Sequence, residues 1–266
     1  MLPFLLAIVI SQSPPVVTLT LAETKPLGYA KTHHVQGLAM DAKRVYVSSV
    51  ERATQLGWLF VFDRGSLAIE STHRIALASQ YHPGGLQLRD GRLYLPLAEY
   101  RPLSSSSLLT VDLSPLDDPN KSHRRVAIRS WQSIDDHIGG VAVDQDGRMF
   151  VANWDAKVIR TVAASGQIER EFPNPTGVAY QEMEWHDGFL WCAGNIKEKE
   201  MSQSVVDLID PANGAWKKRY RLSGHRPDGS NDFAHEGFTK EGNQLWLLPE
   251  DGPKSTLYRF ELPVNE

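Results

Sequence analysis

The sequence predicts an all-β fold: a five-bladed β-propeller of four-stranded blades, with the last blade closed by the N-terminal strand. Three observations carry that expectation. A polar opening, a glycine or acid, an apolar-alternating strand, a tight turn and a second strand recur along the chain. The copies open at His34-Val-Gln-Gly37, His82-Pro-Gly-Gly85, His137-Ile-Gly-Gly140, Gln181-Glu182 and His235-Glu-Gly237, their last residues 48, 55, 42 and 55 positions apart. Strand repeats of roughly 40 to 50 residues mark propellers. The apolar period is 2 throughout, and no stretch carries a sustained helical period with caps. Finally, Val16–Leu21 has no partner before the first repeat, while the fifth repeat ends at Pro263 with no room for a fourth strand. Pairing the two closes the ring and removes its open edges.

In order, residues 2–10 form an apolar run too short to span a bilayer. The run resembles the core of a signal peptide, with Val9 and Ser11 suiting the small-residue cleavage rule. Residues 1–15 are therefore read as a leader and 16–266 as one propeller domain of an exported protein, cytoplasmic if the leader is not one. Within each repeat, Asp90-Gly91, Asp146-Gly147, Asp187-Gly188 and Glu241-Gly242 join first strands to second as hairpins. Third strands are expected at 58–62, 108–112, 158–162, 205–209 and 257–260. Inserts near 50–57 and 222–234 lie on the rims, where loops carry function. Asn174-Pro-Thr-Gly177 offers a second opening for the fourth repeat, so its register is left open.

A chain of 266 residues is long enough for a full core. Its net charge of −4 argues against a nucleic-acid surface. The basic clusters at 123–125 and 217–219 read as solvated faces of outer strands. A single cysteine, Cys192, excludes an intrachain disulfide and a resolving-thiol mechanism, and its strand position reads as buried and inert. No nucleophile elbow, phosphate loop or dinucleotide fingerprint occurs.

In a propeller the first strand of every blade lines the axis, so the openings converge on one mouth. His34, His82 and His137 share one register there. They read either as ligands of one divalent cation or as struts between blades. Functional residues tend to break a repeat, which singles out Asp135, Asp136, Glu182, Glu184, His235 and Glu236. Gathered acids would shift one another's pKa values, and Glu236 and Glu182 are the candidates for general base. Gln36, Asp136, Gln181, Glu184, His235 and Trp154 are the candidate ligand contacts. Trp131 and Trp154 sit at rims where an aromatic face could stack on a ligand. A second ring past the second strands holds Ser48, Ser49, Glu99, Asn153, Asn195, Glu250 and Asp251.

The Gln36-Gly37-Leu38 opening with Val45-Tyr46, and Glu182-Met-Glu184-Trp185 with Asp210-Pro-Ala-Asn-Gly downstream, resemble the plant and bacterial glutamine cyclotransferases. The resemblance implies a five-bladed propeller of about this length. Val47 stands where that family has an acid, so the cyclase activity it implies would need another acid. The pattern is more distantly similar to the senescence-marker and gluconolactonase propellers, which implies an axial divalent cation. The expectation is a monomeric module binding a small molecule or a protein partner at the axial mouth, without nucleic acid or a transmembrane segment. The alternative is a metal-assisted hydrolase, lactonase- or esterase-like, or a cyclotransferase-like enzyme.

Overall fold

The computed structural model describes residues 13–28, 31–117, 127–163, 165–198 and 201–264, with the side chains of 127–133 excepted. Residues 1–12 of the expected leader, the basic cluster at 123–125 and the Trp131 side chain lie outside this description. The N-terminal strand β1 is Val16–Pro26. The first repeat folds as β2 (His34–Met40), β3 (Arg44–Glu51), β4 (Leu56–Asp63) and β5 (Ile69–Ile75). The second forms β6 (His82–Pro83), β7 (Gln87–Arg89), β8 (Arg92–Ala98), β9 (Ser106–Asp112) and β10 (Ala127–Ile134). The third forms β11 (Ile138–Val143), β12 (Met149–Asn153), β13 (Val158–Val162) and β14 (Ile168–Pro173). The fourth forms β15 (Ala179–His186), β16 (Phe189–Glu198), β17 (Met201–Asp210) and β18 (Ala215–Ser223). The fifth supplies β19 (Gly237–Glu241), β20 (Gln244–Leu248) and β21 (Thr256–Glu261).

The result is an all-β, propeller-like arrangement of four-stranded sheets, each an antiparallel meander in chain order. Two 3₁₀ turns, Ser114–Leu116 and Gly252–Lys254, are the helical elements among the described residues. None of the described helices is long and apolar enough to cross a membrane. Buried side chains such as Tyr46, Leu59, Leu86 and Leu95 pack one sheet face against the next, as alternating strands require.

β1 is longer than the sequence predicts and has two partners. Leu21–Pro26 pairs antiparallel with β21, while Val16–Thr20 runs parallel to β18 of the preceding sheet. The change of partner falls between Thr20 and Leu21, just before a register break between Leu21 and Glu23. One strand thus joins the last two four-stranded units into an eight-stranded sheet. In the fourth repeat the inner strand starts at Ala179. The Asn174 amide donates to the carbonyls of Ala156 and Val178, which makes Asn174–Val178 the turn before it. The second repeat's inner strand is split. Gly84 donates to Pro96 of its own sheet, whereas Gly85 donates to Gly139 of the next.

Candidate functional site at the axial mouth

The inner strands reach the axis in one register. Bulges leave Gln36, Gly139 and Gln181 unpaired between their neighbours, and Gly84 and Glu236 hold the same place in the other two repeats. One residue further in come Gly37, Gly85, Gly140, Glu182 and Gly237. Four glycines leave room there for a single side chain, that of Glu182. A Cβ on Gly85 would stand 2.8 Å from Glu182 Cγ, and one on Gly37 would stand 2.9 Å from Gly85 Cα. The Glu182 carboxyl is 0% exposed and accepts backbone N–H groups from three other repeats: Leu38 at 3.2 Å, Leu86 at 2.8 Å, and Phe238. Burial, and then the nearby Glu184, push its pKa well above the usual carboxylate range, while the three N–H donors pull it down.

Glu184, two residues on and on the same strand face, is a second strut. It accepts Thr239 Oγ1 at 2.8 Å, Lys240 N at 2.7 Å and His186 Nε2 at 2.7 Å. Neither acid faces the mouth with a free oxygen. Glu182 is sealed from solvent with both oxygens committed to backbone, so the general-base expectation narrows to Glu236, and the expected ligand contact at Glu184 gives way to a strut. Asp136 is also committed, to Arg160 at 2.6 Å and to the N–H of His137 at 2.8 Å, while Asp135 is exposed. Gln181 is half-buried at its bulge.

The side chains that do meet come from three sheets. Gln36 spends its amide N–H groups on the Val35 carbonyl (2.7 Å) and Glu236 Oε2 (3.4 Å), and turns Oε1 toward His82 Nε2 at 2.7 Å. An amide oxygen only accepts, so His82 carries its proton on Nε2. That leaves His82 Nδ1 as a buried lone pair with no partner. His82 is 8% exposed, and burial, then the charges of His137, His34 and Arg52, push its pKa down to about 3. Its ring lies 4.5 Å from Tyr100 and edge-on at 5.2 Å from His137, which stacks at 5.0 Å on Trp154. His137 Nδ1 donates to the Arg101 carbonyl at 2.6 Å. Trp154 remains 42% exposed and its face is open to a ligand.

Glu236 is 6% exposed. Its Oε1 lies 3.4 Å from His235 Nε2 and 3.9 Å from His34 Nε2. Burial, then Asp251 and Asp232, hold its carboxyl well above the usual range, with Arg52 opposing. His34 is fixed from behind by Asp251, 3.1 Å from Nδ1, and the same carboxylate caps Val35 N at 2.9 Å. The exposed Arg52 guanidinium sits 4.9 Å over the Tyr100 ring.

Among the described residues no three His, Cys, Asp or Glu side chains form a group that could hold a metal ion. His34, His82 and His137 instead direct one nitrogen each at Asp251, Gln36 and a backbone carbonyl. The second ring divides. Asp251 belongs to the mouth, whereas Asn153 caps its own loop through Asp155 and Val158. Sequence reasoning missed Arg52 and Tyr100. Both lie just past second strands, and the rim insert at 50–57 was the one available signal for Arg52.

The profile of a family of unknown function (DUF6454) matches residues 14–165, more than half of the sequence. The chain belongs to that family. No curated protein matches it. Among solved structures, a Bacteroides caccae protein of unknown function is 12% identical with a TM-score of 0.54, over 84% of this chain and 73% of its own. A gluconolactonase from Xanthomonas campestris is 14% identical with a TM-score of 0.50, over 96% and 99%. The calcium-binding protein regucalcin of Agrobacterium tumefaciens is 10% identical with a TM-score of 0.48, over 93% and 97%. At these identities the likeness is one of fold: a β-propeller.

Proposed function

We propose that this protein is a five-bladed β-propeller that binds a small polar molecule at the axial mouth. The eight-stranded sheet then counts as two blades stitched by β1, beside three separate ones. The observation that carries the reading is the Glu236–Gln36–His82 contact. It brings together a buried carboxyl, an amide and a neutral imidazole from three sheets, with the Tyr100 ring against His82 and, beyond it, His137 stacked on Trp154. The inner layer offers mainly acceptors: Glu236, His82 Nδ1 and His34 Nε2. A ligand presenting hydroxyl, amide or ammonium donors fits it, with its body against the aromatic faces. Export and a monomeric state belong to the same reading.

Glu236→Gln tests it. Calorimetric titration of sugars, polyols, lactones, primary amines and amino-acid amides should find a binder for the wild type. The substitution should weaken that binder by about 10-fold, the scale of one buried hydrogen bond. Equal affinity in both proteins would move the site elsewhere.

A second reading, hydrolase or cyclotransferase-like, draws on the placement of Glu236, a carboxyl buried at the mouth with Oε1 within 4 Å of His235 Nε2 and His34 Nε2 and its pKa raised by burial. It predicts that the same substitution removes turnover by roughly 10²- to 10⁴-fold with little change in substrate affinity. No step in either reading is routed through a metal ion.

A further inference from the structure

At the ends of the strands opposite the mouth, a cavity of about 430 Å³ opens between the third and fourth repeats. Three turns frame it. Residues 144–148 join β11 to β12, Gly188 sits between β15 and β16, and Pro211-Ala212 joins β17 to β18. Strand alternation decides which side chains face it. Ala142, Phe150 and Ile159 belong to the apolar cluster that packs the third repeat on the fourth. Asp144 and Thr161 stand two residues beyond Ala142 and Ile159, so they continue the same face past the end of that cluster, and both line the cavity. Trp185, packed on the same cluster, lines the side toward the fourth repeat.

Asp144 is 5% exposed and Thr161 6%. Asp144 Oδ1 accepts the backbone N–H groups of Asp146 and Arg148, both at 2.9 Å, and so holds its turn. Its Oδ2 bonds to nothing among the described residues, and neither does the Thr161 hydroxyl or the Trp185 indole N–H. None of the three is sealed from solvent as an orphaned core atom would be. For two side chains this deeply buried, the cavity is the opening that remains. The arginines on its wall are already committed. Arg148 faces Glu169 at 3.8 Å, and Arg170 donates to the Ala212 carbonyl while lying over the Phe172 ring. Arg89 covers the Trp185 ring at 5.3 Å, so that indole offers its N–H and not an open face.

The polar groups select the ligand. A carboxylate oxygen only accepts, an indole N–H only donates, and a hydroxyl does either. An anion would be repelled by Asp144, and an ammonium would turn its charge on the indole N–H and Arg148. Neighbouring hydroxyls on one ring satisfy all three groups at once. We infer that this cavity is a second binding site, for one uncharged sugar ring whose hydroxyls meet Asp144, Thr161 and Trp185. Its volume lies within the range of pockets that hold small organic ligands. None of its residues belongs to the mouth, so the inference stands apart from the function proposed above.

The test titrates the full chain with the methyl glycosides of glucose, galactose, mannose and N-acetylglucosamine, followed by saturation-transfer NMR and calorimetry. At least one should bind saturably, with a Kd of about 1–10 mM. Asp144→Asn keeps an oxygen to hold the turn and replaces the free acceptor by an amide N–H. It should weaken the sugar by about tenfold with a cooperative melt retained. Thr161→Val, nearly equal in shape, should weaken it by about threefold or more and carries the test if Asp144→Asn fails to fold. Glu236→Gln should leave the affinity unchanged. No saturable binding below about 100 mM, equal affinity in both cavity variants, or a loss confined to Glu236→Gln would each overturn the assignment. So would benzylamine or benzoate binding more tightly than every glycoside with an affinity that Asp144→Asn alters, since the site would then be ionic.

Discussion

Glu182 draws Leu38, Leu86 and Phe238 toward one point through their amide hydrogens, across 144, 96 and 56 positions of sequence. Truncation to alanine would leave those donors buried without a partner, at about 1–3 kcal/mol each before any relaxation. Glu182→Ala should therefore lower the melting temperature by roughly 6–12 °C, corresponding to about 3 kcal/mol in a chain of this size. Calorimetry of the purified variant checks this, and a shift within a degree or two would remove Glu182 as the axial tie. None of its three partners has a side chain that marks it, which is why the sequence exposes the acid and hides its role. Its place in the repeat was legible, because an acid stands where four repeats have glycine. The pairing of Gln36 with His82 was hidden for a related reason: a bulge sets the direction of the Gln36 side chain, and composition carries no trace of it.

At the level of strands, alternation and Asp-Gly turns made the hairpins legible to within a residue or two. Val158–Val162 falls where it was expected. The double pairing of β1 was not legible. A free strand of suitable pattern shows that it needs a partner, and the length of the break between two partners depends on how the neighbouring sheets twist. Leu19 anchors the parallel half of β1, nearly buried in the cluster with Trp191, Tyr220 and Leu222. Leu19→Ala should cost about 2–4 kcal/mol by transfer and cavity terms. Chemical denaturation would show this as a lower midpoint at constant slope. A changed slope would mean instead that β1 detaches separately from the rest. Where two sheets touch through backbone, side chains are excluded: a Cβ on Gly84 would come within 2.1 Å of the Gly139 carbonyl oxygen.

For the molecule as a whole, the buried mouth makes stability depend on pH from both sides. His82 has its pKa lowered from 6.5 to about 3, so the unfolded chain takes up the proton more readily than the folded one. Its contribution is present above pH 6.5 and is lost as pH falls toward 3, on the order of 4–5 kcal/mol across that window. Glu236 works in the other direction. The folded state holds its proton more tightly, so its contribution is present below the ordinary carboxyl value of 4.5 and is lost as pH rises through the raised one. Melting curves from pH 4 to 9 should accordingly show Glu236→Gln gaining on the wild type toward high pH. His82→Gln should narrow the loss at low pH. Parallel curves for all three proteins would place both groups in solvent.

β1 pairs with β21, so it leaves the ribosome long before its antiparallel partner is made. The intervening repeats can pack as they emerge, but the sheet that β1 completes must wait until β21 has been made. Until then Leu21–Pro26 is a strand edge without its β21 partner in a growing chain. A premature stop anywhere before Thr256 would leave that edge permanently open to chaperones, proteases and other nascent copies.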